Sequence, residues 1–285
     1  MKTKQRTLWL LAAMAAPLAH FSGTGWMATL LASAAILPLS LLPKSWETTS
    51  KSMALVRILW LGAVAGIMLR GSGAYWPSKN EVVVPLTLLA LAAVTNSSAA
   101  PRIGAVLALV MGLLAIPLAV SGAARIEPGW LKPFPGSWSW GLALTLLLPN
   151  LPAAKSGTVR GTACVGLVAV LLSALVQGTI GVSVAVSVPD PFYQTARTLG
   201  YLEPVAAAAV TFGWYAVAVY HLESAKIIAA ESEMGRIWAT VLVTGTGASM
   251  VLFKVQPKTP FWSLFGLFLW VLCPFLTKMK KVEKT

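Results

Sequence analysis

Acidic side chains are scarce: only nine Asp and Glu residues stand among 285, and histidine occurs twice, at His20 and His221. Work by paired carboxylates, by a histidine relay or by a metal centre needs such groups clustered, and here they are few and scattered. The chain is therefore expected not to be an enzyme, and neither a metal nor another cofactor is expected. Cysteine is equally rare. Cys164 and Cys273 both fall inside apolar runs, which excludes a disulfide framework and the spacing of metal ligands. Long polar stretches are missing too. The largest, residues 70–81, 122–137, 185–203 and 223–236, are loop-sized, so no soluble domain fits between the apolar segments.

What fills the chain is apolar surface. Hydrophobic residues make up 57% and charged ones 11%, with a mean hydropathy of +0.75, a balance that calls for a bilayer as solvent. Apolar runs bounded by charge, Pro and Gly predict ten membrane spans, at 7–20, 26–42, 53–69, 82–96, 103–121, 138–151, 161–184, 204–222, 237–253 and 261–277. Residues 1–285 then form a single polytopic membrane domain, with helices 1–5 over about 7–121 and helices 6–10 over about 138–277. The basic opening, Met1 to Arg6, leads into an apolar run with no small-residue cleavage site, so this run reads as the first span and not as a signal peptide.

The excess of 22 Lys and Arg over nine acidic residues, a net charge of +13, is explained by topology. With both termini in the cytoplasm, the cytoplasmic face receives about twice as many Lys and Arg as the opposite one, and the number of crossings is even. Arg57 falls inside the third span, near its cytoplasmic end, and its long side chain is expected to snorkel to that surface. Trp residues near span ends, such as Trp130 and Trp238, fit an interfacial aromatic belt. Gly62 and Gly66 form a GxxxG pair in the third span, where missing side chains let two backbones approach. The stretch 191–199 is amphipathic and reads as a short surface helix. His20 and His221 fall at opposite membrane faces, which rules out a shared metal.

Spans 7–20, 82–96 and 138–151 are short for a crossing of about 20 residues. When the ten are divided five and five, the first and the sixth correspond, and both carry helix breakers. Pro17 interrupts the first, and Ser22, Gly23, Thr24 and Gly25 follow it. The sixth is entered through Pro133, Phe134, Pro135, Gly136, Ser137 and Trp138, and left through Pro149 and Pro152. Unwound backbone at corresponding positions of two halves frees N–H and C=O groups for a small ligand near the midplane.

The order of these features resembles the spore germination permease family, the membrane-embedded B subunit of nutrient germinant receptors within the amino acid/polyamine/organocation superfamily. The residues that carry the resemblance are Pro17, then Gly25 and Trp26, then Ser137 to Pro149. The most specific are Pro191-Phe192-Tyr193-Gln194-Thr195-Ala196-Arg197, followed by Leu199 to Glu203 and by Trp214 in the eighth span. The resemblance implies an all-α membrane fold, a five-plus-five inverted-repeat bundle of about ten helices in the cell membrane or spore inner membrane. It also implies a small nutrient such as an amino acid as ligand, and the A and C receptor subunits as partners, with no nucleic acid. The pocket implied lies between helices one, three, six and eight, which nominates Ala16, Pro17, Gly136, Ser137, Trp138, Ser139, Trp214 and Tyr215. Two other functions suit the same sequence: an amino acid secondary transporter, and a non-catalytic membrane scaffold.

Overall fold

The computed structural model describes residues 25–27, 30, 31, 34, 50–75, 81–95, 106, 120–133, 159–188, 191–200, 203–255, 264–266 and 268–273. Helix dominates among them, and no strand occurs among them. Seven α-helices are traced: α1 (Lys51–Leu69), α2 (Val83–Val94), α3 (Val159–Ile180), α4 (Val182–Ser187), α5 (Pro191–Thr198), α6 (Glu203–Glu231) and α7 (Arg236–Leu252). Among the described residues, α1 is the one helix long and apolar enough to cross a membrane.

Local chemistry sets the ends. Ser50 caps α1, its hydroxyl oxygen accepting from the Met53 N–H at 3.3 Å. The helix passes into a 3-10 turn, Arg70–Tyr75, where the Ser72 hydroxyl donates to the Leu69 carbonyl at 2.5 Å. At the end of α6, Glu233 takes a left-handed conformation (φ 57°), and the Met234 N–H reaches back to the Ala229 carbonyl at 2.7 Å. Lys254 (φ 51°) and the bond from the Val255 N–H to the Met250 carbonyl repeat that arrangement after α7. Both are six-to-one closures of a helix terminus.

One large core joins α1, α2, α6, α7 and the turn at 268–272. The helix directions follow from contacts at the two ends of α1. At one end Lys51 pairs with Glu233, just before α7, at 3.3 Å. At the other, Arg70 donates to the carbonyl of Val255, just after α7, at 3.0 Å, and reaches Glu81, ahead of α2, at 3.7 Å. Hence α1 and α7 run parallel, and α2 returns antiparallel to both. The four-residue connection 232–235 reverses α6 into α7, so α6 runs parallel to α2.

The α1–α7 seam is where the glycine pair acts. A Cβ on Gly62 would lie 2.9 Å from the Val243 carbonyl oxygen, and one on Gly66 would lie 2.8 Å from the Gly247 Cα and closer still to its oxygen. Gly62 and Gly66 therefore pack backbone on backbone, as their spacing predicts. On α7 the buried positions Ala239, Val243, Gly247 and Val251 recur every fourth residue, the row that one helix presents to another.

Two expectations are corrected. The stretch 223–236 is not a loop: α6 continues to Glu231, because Ala225, Ile228 and Ala229 are buried against the core and the Lys226 ammonium meets the Glu223 carboxylate at 2.9 Å. Arg57 does not snorkel. It is 3% exposed, and its guanidinium lies over the Trp270 ring, 4.6 Å from the centroid, with Nη2 donating to the Leu269 carbonyl at 3.0 Å.

A second, smaller packing unit holds α3, α4, α5 and residues 120–133. Val176, Ile180 and Ala185 form one apolar nucleus and Ala196 with Leu199 another, and Leu172 and Phe192 connect the nucleus on α3 and α4 to the main core.

Candidate functional site

Of the nominated residues, Ala16, Pro17, Gly136, Ser137, Trp138 and Ser139 lie outside the described residues. Trp214 and Tyr215 lie on α6. The Trp214 side chain is wholly buried in the main core. Tyr215 projects its hydroxyl to Thr95, at an O–O distance of 2.6 Å. The Thr95 hydroxyl spends its one hydrogen on the Leu91 carbonyl, 2.7 Å away, so Tyr215 is the donor in the shared bond.

Thr95 is the C-cap of α2. Its own φ and ψ, −67° and 123°, are extended, and its N–H closes the last turn on the Ala92 carbonyl at 3.1 Å. At about 1.5 Å per residue, Thr95 and Tyr215 each stand roughly 18 Å along their helices from Val83 and Glu203. The carbonyl end of a helix carries about half an elementary negative charge. Two hydroxyls and that helix end suit a ligand that brings a cation or several N–H donors. A fixed metal is a different matter: no group of three His, Cys, Asp or Glu occurs among the described residues.

A second polar junction closes the break after α3. Gly181, with φ 78°, interrupts the helix, which resumes at once as α4, so the expected seventh span is two helices. The interruption leaves carbonyls to be satisfied from outside. The Gly178 carbonyl accepts from the Glu127 N–H at 3.1 Å, and Trp130 packs over Gly181. Gln177, fully buried, has its carboxamide oriented by its two neighbours: it donates to the Lys132 carbonyl at 3.2 Å and accepts from the Gly25 N–H at 3.1 Å. Gly25, itself at φ 99°, stands at the head of the expected second span, and Lys132 ahead of the expected sixth. One side chain thus ties these two stretches of chain to α3.

The stretch 191–198 is helical, as its amphipathic pattern predicts, and it is tied to α6 and to the segment 120–133. The Tyr193 hydroxyl donates to the Glu203 carboxylate at 2.5 Å, and Arg125 reaches the Thr198 carbonyl at 3.2 Å. His221 is buried, with Nδ1 donating to the Val217 carbonyl of its own helix at 2.8 Å.

Sequence reasoning missed Thr95, Gln177 and the inward turn of Arg57. Two of the three carried a signal. Gln177 is an amide amid the apolar run 161–184, and Thr95 opens a polar run, Thr95 to Ser98, at the end of a short span. Compared with known proteins, the chain matches no family model and no curated protein.

Proposed function

We propose that this chain is a permease-like protein of about ten membrane spans, built as a five-plus-five inverted repeat, that binds a small nutrient such as an amino acid. The observation that carries the proposal is how the four core helices pair. Helices α1, α2, α6 and α7 are the third, fourth, eighth and ninth spans, so five-plus-five symmetry exchanges α1 with α6 and α2 with α7. That exchange converts the parallel α1–α7 pair into the parallel α2–α6 pair, and both pairs are packed. It also reverses helix direction, as an axis in the membrane plane requires, since α1 opposes α6 and α2 opposes α7.

The same reading gives Thr95 a purpose. Helix α2 covers roughly 18 Å of a hydrocarbon core about 30 Å thick, and irregular backbone at such depth is tolerated where protein or a water-filled cavity satisfies it. An ammonium group would find hydroxyl and carbonyl oxygens at the end of α2 beside Thr95 and Tyr215, and Gln177 ties Gly25 to Lys132, next to the two segments that the sequence reads as interrupted. Supporting the assigned sides, Lys51 and Arg236, both counted as cytoplasmic, share one end of the core, and Arg70 and Lys254, both counted to the opposite face, share the other.

In its narrower form, on the resemblance carried by residues 191–203, the protein is the membrane subunit of a spore nutrient germinant receptor. Ligand binding would then shift a conformational equilibrium that the A and C subunits read out.

The test is a panel of amino acids added to the purified full chain in nanodiscs. At least one should raise the midpoint of thermal unfolding, and Thr95→Val and Tyr215→Phe should weaken that ligand by roughly tenfold each. A panel with no effect removes the ligand-binding reading. Spores deleted for the chain that germinate normally with every nutrient remove the receptor reading alone. Labelled amino acid accumulating in vesicles under an ion gradient favours a transporter instead.

A further inference from the structure

We propose that residues 123–132 form a latch over the end of α3, held shut by few contacts and able to detach as one unit. The segment runs along one face of that helix. A Cβ on Gly122 would lie 2.6 Å from Leu175 Cδ1, and one on Gly178 would lie 3.0 Å from Ile126 Cγ2. A Cβ on Gly181 would lie 3.6 Å from the Trp130 ring. Positions 175, 178 and 181 are three apart and so share a face up to the break. Gly181 has φ 78° and ψ 153°, a combination essentially confined to glycine, and its missing side chain lets the indole reach the backbone.

Little else holds the segment. None of residues 123–133 is buried. Among the described residues three hydrogen bonds tie it to α3 and α5: the Glu127 N–H to the Gly178 carbonyl at 3.1 Å, Gln177 to the Lys132 carbonyl at 3.2 Å, and Arg125 to the Thr198 carbonyl at 3.2 Å. Beyond the break α4 is held as lightly, with Ala185 its one buried residue. The face of α3 beneath is different, because Ser173, Val176, Gln177 and Ile180 are all buried. Parts of a fold with few buried apolar contacts open locally at a free energy far below that of global unfolding, so the latch opens while α3 stays in place. Lys132 stands ahead of the expected sixth span, so opening frees the entry to that segment and withdraws one partner of Gln177. That consequence rests on the reading of the sixth segment as part of the ligand site; the motion itself does not.

The experiment is hydrogen exchange on the full chain in nanodiscs, read at the amides of Glu127, Trp130 and Leu131, each of which donates a backbone bond. Opening as one unit gives the three a common exchange rate. Trp130→Ala removes the ring from Gly181 and should speed all three by roughly tenfold, including Glu127, whose own bond goes to Gly178, while Leu172 to Val176 on α3 keep their rates. The converse is a lock. With Cys164→Ala and Cys273→Ala in place, Ile126→Cys/Gly178→Cys puts two Cβ atoms 3.4 Å apart, near the roughly 3.8 Å of a disulfide. Oxidation should then slow the three amides at least tenfold, and reduction should restore them. The latch is overturned when oxidised and reduced forms exchange alike at these amides. Should the double-cysteine chain fail to fold, Trp130→Ala decides alone: no change at Glu127, or an equal acceleration along α3, overturns the latch. None of these readings needs a ligand, so a panel of amino acids without effect leaves the latch standing, and a latch that never opens leaves the amino-acid reading untouched.

Discussion

The α1–α7 seam and the α3–α4 junction solve opposite problems. At the seam both helices are unbroken, and the difficulty is distance: Gly62, Gly66 and Gly247 leave no side chain of their own at the closest approach, and dispersion between close backbones does much of the rest. At the junction the helix is broken at Gly181, and the difficulty is polarity. The Gly178 carbonyl ahead of the break is met from afar by the Glu127 N–H, and the neighbouring Gln177 side chain bridges Gly25 and Lys132. The first region needs nothing but the absence of atoms. The second needs particular atoms from three stretches of chain, so the two should fail differently.

The largest effect is expected at the seam. Gly66→Ala sets a methyl group against the Gly247 backbone, which cannot rotate away as a side chain would, and should cost about 3 kcal/mol through overpacking, read by unfolding in detergent with urea. A loss below a few tenths would mean that the helices separate freely. Next is Gln177→Leu, which keeps the bulk of the side chain and strips both hydrogen bonds. With the bonds from Gln177 to Gly25 and Lys132 gone from a buried place, a loss of roughly 2 kcal/mol is expected. Hydrogen exchange at Gly25 should accelerate in that variant and stay unchanged in Gly66→Ala.

Tyr215→Phe tests whether the end of α2 belongs with the seam or with the junction. Removing the hydroxyl leaves Thr95 bonded to Leu91, so the stability loss should be about 1 kcal/mol or less, while any ligand at that helix end is felt far more strongly. The smallest effect is assigned to Gly245, on the outer face of α7 with open space at its Cβ. Gly245→Ala should be neutral or stabilise by up to about 1 kcal/mol through helix propensity. A destabilisation as large as that of Gly66→Ala would show that another surface packs there.

Much of this was legible in the sequence, for reasons that lie in particular residues. The apolar runs 53–69, 82–96 and 237–253 appear as the helices α1, α2 and α7 within a few residues of their ends, because hydrophobic length and bounding charge are local properties. The GxxxG pair was legible for the same reason, as a matter of spacing on one helix face. The partner glycine, Gly247, was not: a Thr-Gly-Thr-Gly run reads as flexible until α1 lies against it. The end of α6 was misjudged because Glu223, Lys226 and Glu231 look like loop charges, and only contact with α1 and α7 shows that Ala225, Ile228 and Ala229 between them are core. Of the nominated site, Trp214 and Tyr215 are seen, the first as core and the second as half of a polar pair whose other member the sequence left unremarked.

By itself the sequence determined that this chain is helical and overwhelmingly apolar, where several helices begin, and which face of α1 must meet another backbone. These follow from composition and from periodicities of three to four residues, which need no distant partner. Tertiary structure alone decided that Arg57 turns inward to Trp270, that Thr95 meets Tyr215, and that Gln177 joins Gly25 to Lys132. Each of these pairs residues scores of positions apart, and a hydrogen bond or a stacked cation exists only once packing has brought both ends within a few ångströms.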